Sequence, residues 1–206
     1  MTETDATALN DRICNLATPL AADLGLAVWG LELLRGPRLV IRLYVDTPPE
    51  GVSSEGVSID QCARLSRSLG LALEVEDIIP SAYVLEISSP GLERPFFRLM
   101  QLAPYIGHSI AFSLAAPIPA CPGRKHFVGA LKHVADTFFT VTVDDAPPFS
   151  KNAPGHVDIS WNLVKNARLI HVFPDELKAK PKAGAGKAAK DASRRRAGGI
   201  KHMQPA

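Results

Sequence analysis

Cysteine is scarce. The chain has three in 206 residues, Cys14, Cys62 and Cys121, an odd number set far apart. That excludes a disulfide framework, suggests no metal cluster, and suits a reducing cytoplasm. Long apolar runs are missing too: no stretch reaches the ~18 residues a membrane span needs. The polar start MTETDATALNDR lacks the basic and apolar order of a secretion signal. A protein that stays in the cytoplasm is expected. No glycine-rich phosphate loop follows any predicted strand, so no cofactor is expected. Aromatic residues make up only 6% of the chain, which favours burying each of them over displaying it.

Charge is present and unevenly spread. Residues 174–206 hold nine Lys or Arg against three Asp or Glu, a net of +6, whereas residues 1–173 hold 14 against 18, a net of −4. The first hundred residues alone carry −6, from 8 basic and 14 acidic side chains. Such a surface repels bare nucleic acid and attracts basic partners. Glu74, Glu76, Asp77, Glu86 and Glu93 form its acidic patch, either a solvated face or a dock for a basic protein.

Leu9, Ile13, Leu16, Leu20 and Leu24 recur at helical spacing. Pro19 inside that run predicts a kink or a break, and Gly25 predicts the stop. LAVWGLELL and RLVIRLYVD read as a hairpin, the second with Leu39, Ile41, Leu43 and Val45 alternating. SIDQ places Ser58 and Gln61 at capping-box spacing, and Cys62, Leu65, Leu69 and Leu73 form the buried stripe of the helix that follows. SAYVLEIS is a third strand. The simplest packing is a three-stranded sheet with two helices on one face. Beyond residue 98 the apolar runs shorten to HSIAFSLA, KHFVGALKHV, FFTVTVD, HVDIS and ARLIHVF, the pattern of a small closed barrel. SWNLVKN supplies the single helical turn before the last strand, with Trp161 either a plug for the barrel end or a base-stacking platform. His126 and His133, seven apart, fall on opposite faces of a regular strand, so no metal site is expected.

SSPGLERPFF, residues 88–97, lies between the two halves. Ser89-Pro90-Gly91-Leu92 fits a type II turn, with Pro fixing one φ and Gly supplying the positive one. Pro95 holds Arg94 extended. As a catalytic loop the stretch lacks the glycine spacing of a nucleophile elbow and a patterned His or Asp partner, so no catalytic residue is assigned. It reads as a stiff joint. Ser89, Pro90, Gly91, Leu92, Glu93, Arg94 and Pro95 also form a candidate binding segment, in which Arg94 pairs with a carboxylate of the body or reaches a phosphate.

GVSIDQCARLSRSLGLALEVEDIIPSAYVLEISSPGLERPFF resembles the central block of the bacterial ribosome maturation factor RimP family. The likeness extends back through LVIRLYVD and forward through RKHFVGALKHVADTFFTVTVD to WNLVKNARLI, from about residue 9 to 173. It implies an α+β protein: an N-terminal α/β domain over 1–92, then an SH3-like (Sm-type) β-barrel over 93–174. It also implies a non-enzymatic role in maturing the small ribosomal subunit. Implied partners are the immature small subunit, ribosomal RNA and small-subunit ribosomal protein twelve of the decoding centre, with no membrane and a monomeric chain. Two features depart from the family: the stretch DDAPPFSKNAPG (144–155) and the tail over 175–206. The tail is rich in Lys, Arg, Ala and Gly and is expected to be disordered. Lys178, Lys180, Lys182, Arg194, Arg195 and Arg196 are candidate RNA contacts there. A general RNA-binding module and an RNA-modifying enzyme are the rival classes.

Overall fold

The computed structural model describes residues 3–48, 56–119, 121–143 and 155–171. The tail candidates Lys178, Lys180, Lys182, Arg194, Arg195 and Arg196, and all of the 144–155 stretch but Gly155, lie outside the described residues.

Helix α1 (Glu3–Ala22) buries Ile13, Ala17 and Ala21 completely. It is not broken at Pro19, contrary to one of the two expectations. Pro19 and Asn15 both face solvent, so the carbonyl deprived of its donor is open to water, and the apolar stripe carries the helix past it. The helix stops at Gly25, whose φ is +71°. The N–H of Gly25 donates to Ala22 and that of Leu26 to Ala21, and Leu26 is buried. This is the hydrogen-bond pattern of a glycine C-cap with its apolar contact.

Strands β1 (Ala27–Leu34) and β2 (Leu39–Asp46) form the expected antiparallel hairpin. Helix α2 (Ile59–Val75) opens on Ser58. Its Oγ accepts from the Gln61 backbone N–H at 3.2 Å, and the Gln61 side chain returns the bond to the Ser58 N–H at 2.9 Å. The amide of Gln61 also donates to the Leu24 carbonyl at 3.0 Å, tying the start of α2 to the end of α1. Leu65, Leu69 and Leu73 are buried and Cys62 half-buried. Strand β3 (Tyr83–Ser88) then lies parallel to β2, giving the order β1-β2-β3. Both helices and the inner face of the sheet share one core. The outer face carries a cross-strand charge row: Arg42 sits between Glu32 and Glu86, 2.7 Å from the latter and 3.7 Å from the former. Glu86 of the acidic patch is therefore engaged within the sheet.

The second sheet has the order β4-β9-β5-β6-β7-β8. Its strands are β4 (Pro95–Phe96), β5 (Ser109–Leu114), β6 (His126–Val134), β7 (Phe138–Thr142), β8 (His156–Ser160) and β9 (Val164–Leu169), with burial alternating most regularly along β7 and β8 and β5 buried on both faces at Phe112–Leu114. β8 and β9 are consecutive in the chain but lie near opposite ends of the sheet. Only Trp161–Leu163, a 3-10 turn, joins them. Three residues span roughly 10 Å, so the sheet must curl until its ends meet, which makes it the expected small barrel. Phe112 stacks on Phe127 at 5.2 Å and meets Phe139 edge-on at 5.3 Å. Trp161 closes this row against Phe139 at 6.2 Å, as the plug reading requires.

His126 and His133 are both exposed on β6, not on opposite faces. A bulge between Leu131 and His133 inserts Lys132 as an extra residue and resets the alternation. β4 was not expected at all. Proline opens this edge strand because its missing N–H deprives no neighbour.

Two substitutions check these cores. Leu69→Ala is expected to cost roughly 2–5 kcal/mol in urea unfolding. At Gly129 a Cβ would stand 2.5 Å from the Thr142 carbonyl oxygen, so Gly129→Ala must part β6 from β7 and is expected to cost about 1–3 kcal/mol. An unchanged unfolding midpoint would refute either assignment.

Candidate functional site at the joint between the sheets

Both sheets lie within one compact unit, Met1–His171, and SSPGLERPFF connects them. Gly91 has the expected positive φ, +68°, but the turn falls at Leu92 and Glu93 rather than over Ser89–Leu92. Pro90 is buried, whereas Ser89, Gly91, Leu92 and Glu93 are exposed. Leu92, at 61% exposure, is the apolar tip. From Arg94 onward the chain turns inward. The carbonyl of Arg94 accepts from the Leu169 N–H at 3.0 Å, and Pro95 and Phe96 pair with Arg168 and Ala167 of β9.

The Arg94 guanidinium is committed within the molecule. Nη1 lies 2.8 Å from Asp46 Oδ2 at the end of β2, in a half-buried setting. Its carbon sits 5.1 Å from the centroid of Trp29 and 5.7 Å from that of Tyr105. Of the two roles considered for Arg94, this geometry builds the carboxylate pair. Glu93 faces Arg168 across 3.6 Å with both side chains largely in solvent, a contact of small energetic weight.

Trp29 is the residue that sequence reasoning missed. A bulge between Val28 and Gly30 leaves it unpaired in β1. Its ring instead packs on the barrel core, 6.3 Å from Phe96, and its indole N–H donates to the Pro95 carbonyl at 2.6 Å. Behind it, Phe97 lies against Gly30. A Cβ there would fall 1.9 Å from the ring, so only glycine lets the two elements close. Phe97 also meets Tyr44 at 5.6 Å. Gln101 completes the joint: its amide N–H donates to the Trp29 carbonyl at 2.6 Å, and its oxygen accepts from the N–H groups of Phe97 and Arg98 at 2.8 and 3.0 Å. Arg98 Nη2 reaches the Val28 carbonyl at 3.2 Å. The available signal was a glycine in mid-strand beside a tryptophan that breaks the alternation.

A cavity of about 470 Å³ opens beside this cluster, lined by Trp29, Arg94, Arg98, Met100 and Tyr105. Met100 is 68% exposed at its rim. The arrangement presents aromatic and guanidinium surfaces, with Asp46 and Thr47 also in the lining. Burial pushes the thiols of Cys14 and Cys62 up, away from the thiolate that reactivity needs. Among the described residues no group of three or more His, Cys, Asp or Glu is placed to hold a metal ion. No helix of the described residues is long and apolar enough to cross a membrane.

Two outcomes are expected at the joint. A double-mutant cycle of Arg94→Ala and Asp46→Ala should show a coupling of roughly 1–3 kcal/mol; a coupling near zero would mark a solvated pair. Gly30→Val should expel Phe97 and loosen the connection, read as new proteolytic cleavage near residues 89–98 with the helical signal retained. Resistance equal to that of the unsubstituted protein would sink this account.

Residues 16–93 match the family described as RimP N-terminal domain. Over 217 aligned residues the chain is 44% identical to "Ribosome maturation factor RimP" of Nitratidesulfovibrio vulgaris (strain DSM 19637 / Miyazaki F), covering 94% of this chain and 96% of that one. The protein of the same name from N. vulgaris (strain DP4) is 51% identical over 169 residues, covering 82% and 94%. That of Lawsonia intracellularis is 40% identical over 178 residues, covering 82% and 90%. With a matching domain and 44% identity over 94% of its length, the chain belongs to the ribosome maturation factor RimP family.

Proposed function

We propose that this protein is a cytoplasmic, non-enzymatic assembly factor for the small ribosomal subunit. It binds the immature particle and assists ribosomal-protein incorporation and folding of nearby ribosomal RNA. Small-subunit ribosomal protein twelve of the decoding centre is the proposed protein partner. The observation that carries the proposal is likeness over 94% of the chain to a protein named as a ribosome maturation factor. The chemistry of the joint agrees with a binding role: its side chains are consumed in fixing two sheets against each other, which presents both surfaces in one arrangement. A preorganised surface loses less entropy on docking. Within the 89–95 segment, Leu92 and Glu93 are the side chains proposed to meet a partner, since Arg94 is engaged internally.

Such a factor needs only differential affinity. It must bind the immature state more tightly than the finished one, so that completion of the particle releases it. The test is sedimentation of the tagged full-length protein through a gradient of cell lysate at moderate salt, with ribosomal RNA probed in each fraction. Travel with small-subunit particles carrying unprocessed RNA, and absence from joined ribosomes, is the expected result. Protein left at the top of the gradient, or spread over all RNA, would overturn the proposal.

The basic tail is proposed to add salt-sensitive, sequence-tolerant RNA affinity. A chain ending at Pro174 is expected to keep its circular dichroism spectrum and to bind RNA more weakly at low salt. Loss of the folded spectrum, or undiminished RNA binding, would refute the corresponding half.

A further inference from the structure

We propose that the outer face of β9, β5 and β6 is a docking surface for single-stranded RNA. This deepens the assembly-factor reading, on which the identity of the ligand rests.

The charge of the barrel is segregated. Among the described residues, lysine occurs only at Lys125, Lys132 and Lys165, and away from the joint, where Arg94 and Arg98 sit, the barrel's arginines are Arg124 and Arg168. All five lie on β6, on β9 or immediately before β6. β5, between those strands, carries no charge. Apart from Glu93 at the joint, which faces Arg168, the described acidic residues of the barrel are elsewhere: Asp136 in the β6–β7 turn and Asp158 on β8, where it accepts from Thr140 at 2.6 Å.

Two bulges aim these cations outward. Lys132 is the extra residue of the β6 bulge. A register shift opposite Ser113 and Leu114 makes Lys165 the extra residue of β9. Each bulge displays a consecutive pair to solvent, Lys132 with His133 and Lys165 with Asn166. The first lies by the start of β5, where the Leu131 N–H donates to the His108 carbonyl, and the second by its end. The face between them is about 20 Å long, at ~3.3 Å per strand residue.

The floor is low. Ala111 lies between Val128 and Arg168, and Ser113 lies between His126 and Asn166. A cleft of about 470 Å³ follows, with Arg124 and Arg168 among its walls. Ser113 is buried and donates to Asn166 Oδ1 at 2.6 Å. Glu32 lines the cleft on the side of the first sheet and Glu93 stands 3.6 Å from Arg168; both would repel a polyanion there, which confines its path to the barrel.

The pairing of these strands decides which polymer fits. β9, β5 and β6 have both edges occupied, so a peptide cannot add as a further strand. The one exposed large apolar side chain on this face among the described residues is Val128, at 54%, which is little to anchor an acidic peptide. Cations spaced along an extended track above small and polar side chains suit a chain with regularly repeated phosphates and exposed base edges.

The test uses the full-length protein and a fluorescent single-stranded RNA ten-mer, titrated across a salt series. K165Q/R168Q removes two cations from the face, and R64Q/R67Q removes two from α2 as a charge-matched control; the tail is common to both. K165Q/R168Q is expected to weaken binding at least fivefold at low salt, and to lower the slope of log affinity against log salt by about 1.4 for the two cations. The control should change binding less than twofold, and both variants should keep the native circular dichroism spectrum. Equal losses in the two variants, or no loss in K165Q/R168Q, would overturn the inference, as would equal displacement of the RNA by a poly-glutamate competitor. Sedimentation separates the two proposals. If the unsubstituted protein travels with small-subunit particles while K165Q/R168Q binds RNA normally, the docking face fails alone. If the unsubstituted protein avoids those particles, the assembly reading fails whatever the titration gives.

Discussion

A tryptophan that leaves its own sheet organises this molecule. The bulge at Trp29 frees one residue of β1 from strand pairing and turns its ring onto the core of the barrel. Everything else at the joint follows from that displacement. The indole N–H needs an acceptor once buried and finds the Pro95 carbonyl. The ring face offers a seat for the Arg94 guanidinium, and Asp46 neutralises the charge thus drawn inward. Phe97 then fills the space over Gly30 on the adjacent position of the strand. Remove the ring and a half-buried guanidinium and a carbonyl both lose their partner.

The two halves contribute different physics. The first half is a helix-covered sheet whose core is aliphatic, built from Ile13, Ile41, Leu43, Leu65 and Leu69. The second is a curled sheet stacked on aromatic rings. Small barrels have little interior volume, so bulky rings fill them with few residues. Such a shell also leaves its exterior open to small side chains and to charge. The outward-facing lysines sit where bulges break the alternation, so their placement costs the core nothing.

The sequence was most legible where structure is local. The Ser58–Gln61 cap, the leucine stripe of α2, the Gly25 stop and the hairpin of β1 and β2 depend on neighbours within a few residues, and periodicity reads such neighbours directly. The positive φ of Gly91 was legible for the same reason, although the turn itself lies at Leu92 and Glu93. The presence of a small barrel was legible through family likeness and through five short apolar runs. What escaped was long-range or off-register. Arg94 and Asp46 are 48 residues apart, and no local pattern pairs them. The bulges at Trp29, Lys132 and Lys165 defeat a strict period of two, which is why His126 and His133 were assigned to opposite faces. The break expected at Pro19 did not form because its deprived carbonyl faces water.

The pairing of β4 with β9 sets a schedule for synthesis. Pro95 is opposite Arg168, so the strand that receives Trp29 has no partner until the last strand of the barrel has been made. At about 5–20 residues per second that interval is roughly 4–15 s. The first sheet has all its strands by Ser88 and can fold in far less time. A nascent chain therefore carries a finished first half whose tryptophan meets a strand still unpaired, and that strand waits for β9.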